Sequence, residues 1–73
     1  MEKTVLDLTL GEEAVIKGFK EDSVACKLLT IGIVPHTKIS LVRRGPFGGA
    51  VCLKLGHTFV AVRNAEAEAI LID

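Results

Sequence analysis

The chain has 73 residues, 49% of them hydrophobic, and no net charge: one small domain, residues 1–73, with enough apolar side chains for a core and too many for a disordered chain. Its longest charge-free stretch, Leu28–Thr37, is ten residues, about half of the ~20 that a membrane-spanning helix needs. A single core of this size leaves no room for a large enzyme pocket. The opening Met-Glu-Lys-Thr-Val-Leu-Asp is not the pattern of a signal or transit peptide, and there are only two cysteines, Cys26 and Cys52; the expected location is cytoplasmic.

The charges are unevenly placed. Residues 23–65 hold Lys27, Lys38, Arg43, Arg44, Lys54 and Arg63 and no acid, so all nine acids lie in the two flanking segments. Either folding brings the acidic ends beside the basic middle, or a basic face meets an anionic partner.

Glycine and proline punctuate the chain at short intervals, as in a small barrel or sandwich. Residues 4–10 place Leu6, Leu8 and Leu10 two apart, on one side of an extended segment. Glu13–Phe19 is the first full strand. Asp22 or Ser23 is a candidate helix cap, and Val24, Leu28 and Ile31 form the apolar stripe of a helix over 24–31. Gly32 suits the left-handed stop, Ile33 the apolar contact after it, and Pro35 forbids continuation. Lys38–Arg43 is a strand with Ile39 and Leu41 inward. Residues 44–49, Arg-Gly-Pro-Phe-Gly-Gly, are a loop. Ala50–Leu55 and Thr58–Arg63 are strands joined by Gly56-His57, with Val51, Leu53 and Leu55 inward. Asn64 is expected to cap one helical turn over 65–67, and 69–72 is the last strand. Phe19 and Phe59 are expected in the core. The element order describes a mainly β fold: an SH3-like barrel of five to six short strands, with one α-helix inserted after the first barrel strand.

Four stretches in order resemble the ferrous iron transport protein A (FeoA) family over essentially the whole chain. They are Val5-Leu6-Asp7-Leu8 with Gly11-Glu12; Lys27-Leu28-Leu29-Thr30-Ile31-Gly32-Ile33-Val34-Pro35; Arg44-Gly45-Pro46-Phe47-Gly48-Gly49; and Ala61-Val62-Arg63 with Glu66-Ala67. Where the family has Gly after the Pro, this chain has His36, which a type II turn would hold at positive φ. The acidic residue often seen after the glycine loop is also missing. The resemblance implies an SH3-like fold and a cytosolic accessory role in ferrous-iron uptake. The implied partner is ferrous iron transport protein B, a membrane transporter with a G-protein domain. It brings no catalytic residues. The same barrel is similar to the C-terminal domain of iron-dependent repressors, which leaves a second reading: a metal-linked regulatory module that itself binds a transition metal.

Residue by residue, no catalytic set emerges. There is no phosphate-binding glycine motif, and Glu12-Glu13 would point to opposite sides of a strand. Cys26, Cys52, His36 and His57 lack the close pairing of structural metal sites, so no metal or cofactor site is assigned and Fe²⁺ is left to the partner. Nucleic-acid surfaces and proline-peptide grooves need aromatic platforms, and this chain has no Trp or Tyr. Protein contact remains. The expected contact residues are Arg43, Arg44, Pro46 and Phe47 at the loop and Leu29 on the helix; Phe47 either folds back over the barrel or serves as an apolar anchor beside Arg43 and Arg44.

Overall fold

The computed structural model describes residues 3–45 and 49–73; Pro46 and Phe47, at the tip of the expected loop, lie outside the described residues. In chain order the elements are β1 (Lys3–Thr4), a 3-10 turn (Val5–Asp7), β2 (Glu13–Phe19), α1 (Asp22–Thr30), β3 (Lys38–Arg44), β4 (Ala50–Leu55), β5 (Thr58–Arg63), α2 (Asn64–Ala67) and β6 (Ile70–Ile72). The strands pair antiparallel in the order β1-β6-β2-β3-β4-β5. This is the SH3-like barrel that the element order predicts, with α1 following the first long strand.

Alternation along the strands builds the core. Ile16, Ile39, Leu41, Val51, Leu53, Val62, Ile70 and Ile72 point inward and are buried, and β-branched side chains suit this half-buried pleated surface. Leu28 of α1, Ile33, Val5, Leu8 and Ala67 close the ends of the same cluster.

The amino-terminal segment differs from expectation. The Thr4 side chain accepts from the Leu6 N–H at 3.3 Å, and the Thr4 N–H donates to Asp7 Oδ2 at 2.8 Å. This reciprocal capping winds Val5–Asp7 into a turn and breaks the two-residue period. Val5 and Leu8 enter the core, Leu6 is half-buried, and Leu10 is 63% exposed.

Helix α1 starts two residues earlier than its stripe suggests. Glu21 is its N-cap residue, with no side-chain cap bond, so neither Asp22 nor Ser23 plays that part. Asp22 instead lies in the first turn, where a negative charge favours the helix dipole. The carboxyl end matches the sequence. Gly32 has φ +94°, its N–H donates to the Leu29 carbonyl at 3.1 Å, and the Ile33 N–H donates to the Leu28 carbonyl at 3.0 Å, the paired bonds of a left-handed helix stop. Because the helix ends at Thr30, Ile31 leaves the Val24/Leu28 stripe and is 45% exposed, while Ile33 is fully buried. His36 takes φ 69°, and its N–H donates to the Ile16 carbonyl at 2.8 Å.

Smaller differences follow along the chain. Strand β3 runs on through Arg44, with a bulge between Leu41 and Arg43. Asn64 is the first residue of α2 rather than its cap, and β6 begins at Ile70. Phe19 packs against the core, but Phe59 lies on the outer face of β5, 59% exposed.

Candidate functional site

Of the residues expected to meet a partner, the described ones, Arg43, Arg44 and Leu29, do not share one face. The bulge in β3 pairs Arg43 with Cys52 and Arg44 with Val51. Val51 is a core residue and Cys52 is not, so the two arginines leave the strand on opposite sides. Arg43 stays on the outer face. Arg44 reaches back across the barrel end, where its guanidinium donates to the Leu8 carbonyl at 2.8 Å and the Leu6 carbonyl at 3.4 Å. It holds the amino-terminal turn against β3. Leu29 is exposed on α1, remote in sequence from both.

Shallow clefts surround the last hairpin, and three of them bear on partner contact. One, of about 370 Å³, lies beside the ends of β3 and β4, lined by Arg43, Arg44, Ala50, Val51, Cys52 and Ala61. The second, about 430 Å³, separates α1 from β5 and is lined by Lys27, Leu28, Ile31, Ala61, Arg63 and Glu66. The third, about 340 Å³, continues past Ile31 to Gly32, Thr37, Thr58 and Val60. Sequence reasoning missed the last two because α1 and β5 lie far apart in the chain and Ile31 reads as a core position. The available signal was its place just before the helix-stopping glycine. Leu29, Ile31 and Val34 form an exposed apolar set at the end of α1.

Folding cancels the charge asymmetry at two points. Lys27 Nζ meets Glu66 Oε2 at 2.6 Å, and Lys38 Nζ lies 4.0 Å from Glu13. The Lys27 bond, with a second from the Arg63 backbone N–H, holds the Glu66 carboxyl below the ordinary value of 4.5. Glu12 is likewise lowered, first by the Thr9 N–H and then by the Thr9 hydroxyl. Both carboxylates serve turns and caps. Among the described residues, Arg43, Lys54 and Arg63 have no carboxylate within ion-pair distance; Lys54 Nζ instead sits 5.8 Å from the Phe59 ring centroid, within cation–π range. Both cysteines are free, Cys26 exposed and Cys52 half-buried. No group of three or more His, Cys, Asp or Glu among the described residues could hold a metal ion, and no helix is long and apolar enough to cross a membrane.

The chain is similar to several solved structures. A FeoA-like protein from Clostridium acetobutylicum superposes with a TM-score of 0.87 at 25% identity, covering 99% of this chain and 85% of that one. Zinc-bound FeoA from Stenotrophomonas maltophilia gives 0.79 at 29% identity, covering 97% and 89%; that protein is described as a prokaryotic SH3 domain protein and a suggested ferrous iron transport activating factor. A manganese-dependent transcriptional repressor gives 0.84 at 15% identity, covering 97% of this chain and 40% of the repressor, a likeness of fold alone. No curated protein matches. The FeoA domain model matches residues 3–73. With nearly every residue covered and the same small barrel in its named members, this chain belongs to the FeoA family.

Proposed function

We propose that this chain is a non-enzymatic cytoplasmic accessory protein of ferrous-iron uptake, acting by contact with the cytoplasmic part of ferrous iron transport protein B. The observation that carries this reading is the FeoA family match across residues 3–73. It is supported by the Stenotrophomonas maltophilia relative, suggested as a ferrous iron transport activating factor, by the exposed Leu29, Ile31 and Val34, and by Arg43 and Lys54, which among the described residues have no carboxylate within ion-pair distance. The mechanism is a population shift: binding one state of the transporter better than another favours that state. In this reading Fe²⁺ is handled by the transporter as its cargo, and no cofactor is proposed for this chain. Arg43, Leu29 and the loop residues Pro46 and Phe47 are its proposed contacts, whereas Arg44 is committed to the Leu8 and Leu6 carbonyls.

The test is binding to the solubilised transporter together with ferrous-iron uptake in cells. Phe47→Ala is expected to weaken binding by ~1–3 kcal/mol through faster dissociation. Arg43→Glu is expected mainly to slow association and to change its salt dependence. Parent protein that neither binds the transporter nor alters uptake refutes the reading. Anaerobic calorimetry is expected to show no tight one-to-one Fe²⁺ binding; tight binding that His57→Ala abolishes would favour a metal-linked module instead.

A further inference from the structure

We propose that the free edge of β5 is a strand-addition site that takes an extended, acidic segment of a protein partner. The β4–β5 hairpin decides which backbone groups are free. Gly56-His57 set Leu55 directly opposite Thr58, so this pair exchanges hydrogen bonds and the pattern alternates onward. Val60 and Val62 therefore turn their N–H and C=O toward β4, and Phe59, Ala61 and Arg63 turn theirs away. Two contacts agree with that parity. The Asn64 N–H donates across the ladder to the Gly49 carbonyl at 3.1 Å, and the outward Arg63 N–H donates to Glu66 Oε1 at 3.1 Å. β5 is the last strand in the sheet order, so among the described residues no strand meets the outward groups of Phe59 and Ala61.

Natural folds shorten, charge or cover such an edge. Here the two clefts on the α1 side of β5 meet at Ile31 and run along the strand. A strand laid into them would pair its backbone with Phe59 and Ala61. Alternate side chains of that strand would pack on Ile31, and the others would face Phe59 and Lys54.

Charge selects the occupant. Arg63 stands at one end of the edge, next to the mutually paired Lys27 and Glu66, with Lys54 at the other end and Arg43 on the outer face. Of the acids near the edge among the described residues, Glu66 is engaged by Lys27 and by the Arg63 N–H, and Glu13, which lines a cleft with Lys54, lies 4.0 Å from Lys38 Nζ. A second copy paired antiparallel about Ala61 would set Arg63 beside the Phe59 and Lys54 of its partner, bringing like charges together with no acid between residues 23 and 65 to offset them. An acidic extended segment has the opposite sign. This inference stands on the edge and its charges, independently of which protein the chain serves.

The experiment selects short peptides from a displayed random library on the parent protein and re-measures them on variants. Ala61→Pro removes an N–H that faces away from β4, a place an edge strand tolerates proline; amide spectra of β4 and β5 check that the hairpin persists. Selected peptides are expected to alternate Asp or Glu with apolar residues and to shift the Phe59 and Ala61 amides. They are expected to bind Ala61→Pro about tenfold or more weakly, and to lose affinity on Lys54→Glu or with added salt. N-methylation of alternate peptide amides removes the same bonds from the ligand side and is expected to abolish binding with the protein unaltered. The proposal is overturned if no peptides are selected, if they lack acidic enrichment, or if N-methylation leaves binding unchanged. It is also overturned if sedimentation shows a parent dimer that Ala61→Pro dissolves, since the edge would then belong to a second copy.

Discussion

The sheet has two outer strands, β1 and β5, and they are finished differently. β1 is two residues long and rolls at once into a capped turn, whose carbonyls at Leu6 and Leu8 are held by Arg44. Val5 and Leu8 then plug the barrel end. β5 runs six residues, and of its outward backbone groups the Arg63 N–H has a bond, to Glu66. Short length and covering side chains protect an edge from pairing; the chain applies them at one end and leaves the other open, beside an apolar cleft. Closure at β1 is therefore expected to carry stability, and the open side of β5 to carry little.

The largest expected effect tests that division directly. Leu8→Ala, under the closed end, is expected to cost ~2–5 kcal/mol, whereas Phe59→Ala, on the open side, is expected to cost less than ~0.5 kcal/mol. Urea unfolding midpoints compare them, and equal losses would break the comparison. Next comes the far wall of the cleft, set by how α1 ends. Gly32→Val places a β-branched side chain at φ +94° and is expected to cost ~1–2 kcal/mol or more; an unchanged melting temperature would show that another residue stops the helix. Arg44→Ala removes the clamp on the amino-terminal turn and is expected to cost about 1 kcal/mol, with faster hydrogen exchange in residues 5–8. If exchange there stays slow, the capping bonds of Thr4 and Asp7 suffice without it.

The smallest effect is electrostatic. Glu66 joins α2 to α1, and its folded-state pKa is depressed, first by the Lys27 bond. A depressed carboxylate contributes stability above the unfolded value and loses it as pH falls through the folded value. Glu66→Gln is thus expected to be less stable than the parent at neutral pH, with the difference shrinking as the pH drops below 4.5. A difference constant across the acid range would mean that Glu66 acts by shape rather than charge.

The parts of the fold legible in the sequence were those where local chemistry and tertiary packing ask for the same residue. Val51/Leu53 alternate, Gly56-His57 turn, and Gly32 with Ile33 stops the helix as read. The amino terminus was misread because Leu6, Leu8 and Leu10 imitate a strand while Thr4 and Asp7, three apart, close a turn. Phe59 was misread because size suggests burial, yet strand parity places it outside. Of the expected contact residues, Leu29 and Arg43 are exposed. The cleft between α1 and β5 was not legible, since no periodicity within one element reveals a surface shared by two.

The bulge in β3 has a consequence for alignment. Leu41 faces Leu53 and Arg43 faces Cys52, so Val42 is a supernumerary residue opposite nothing in β4. Excising it would leave Leu41 inward, Arg43 outward and Arg44 inward, with every later pairing intact. Relatives one residue shorter at this point therefore need a single gap at Val42 to be compared, and without it their entire downstream half would be matched inside out.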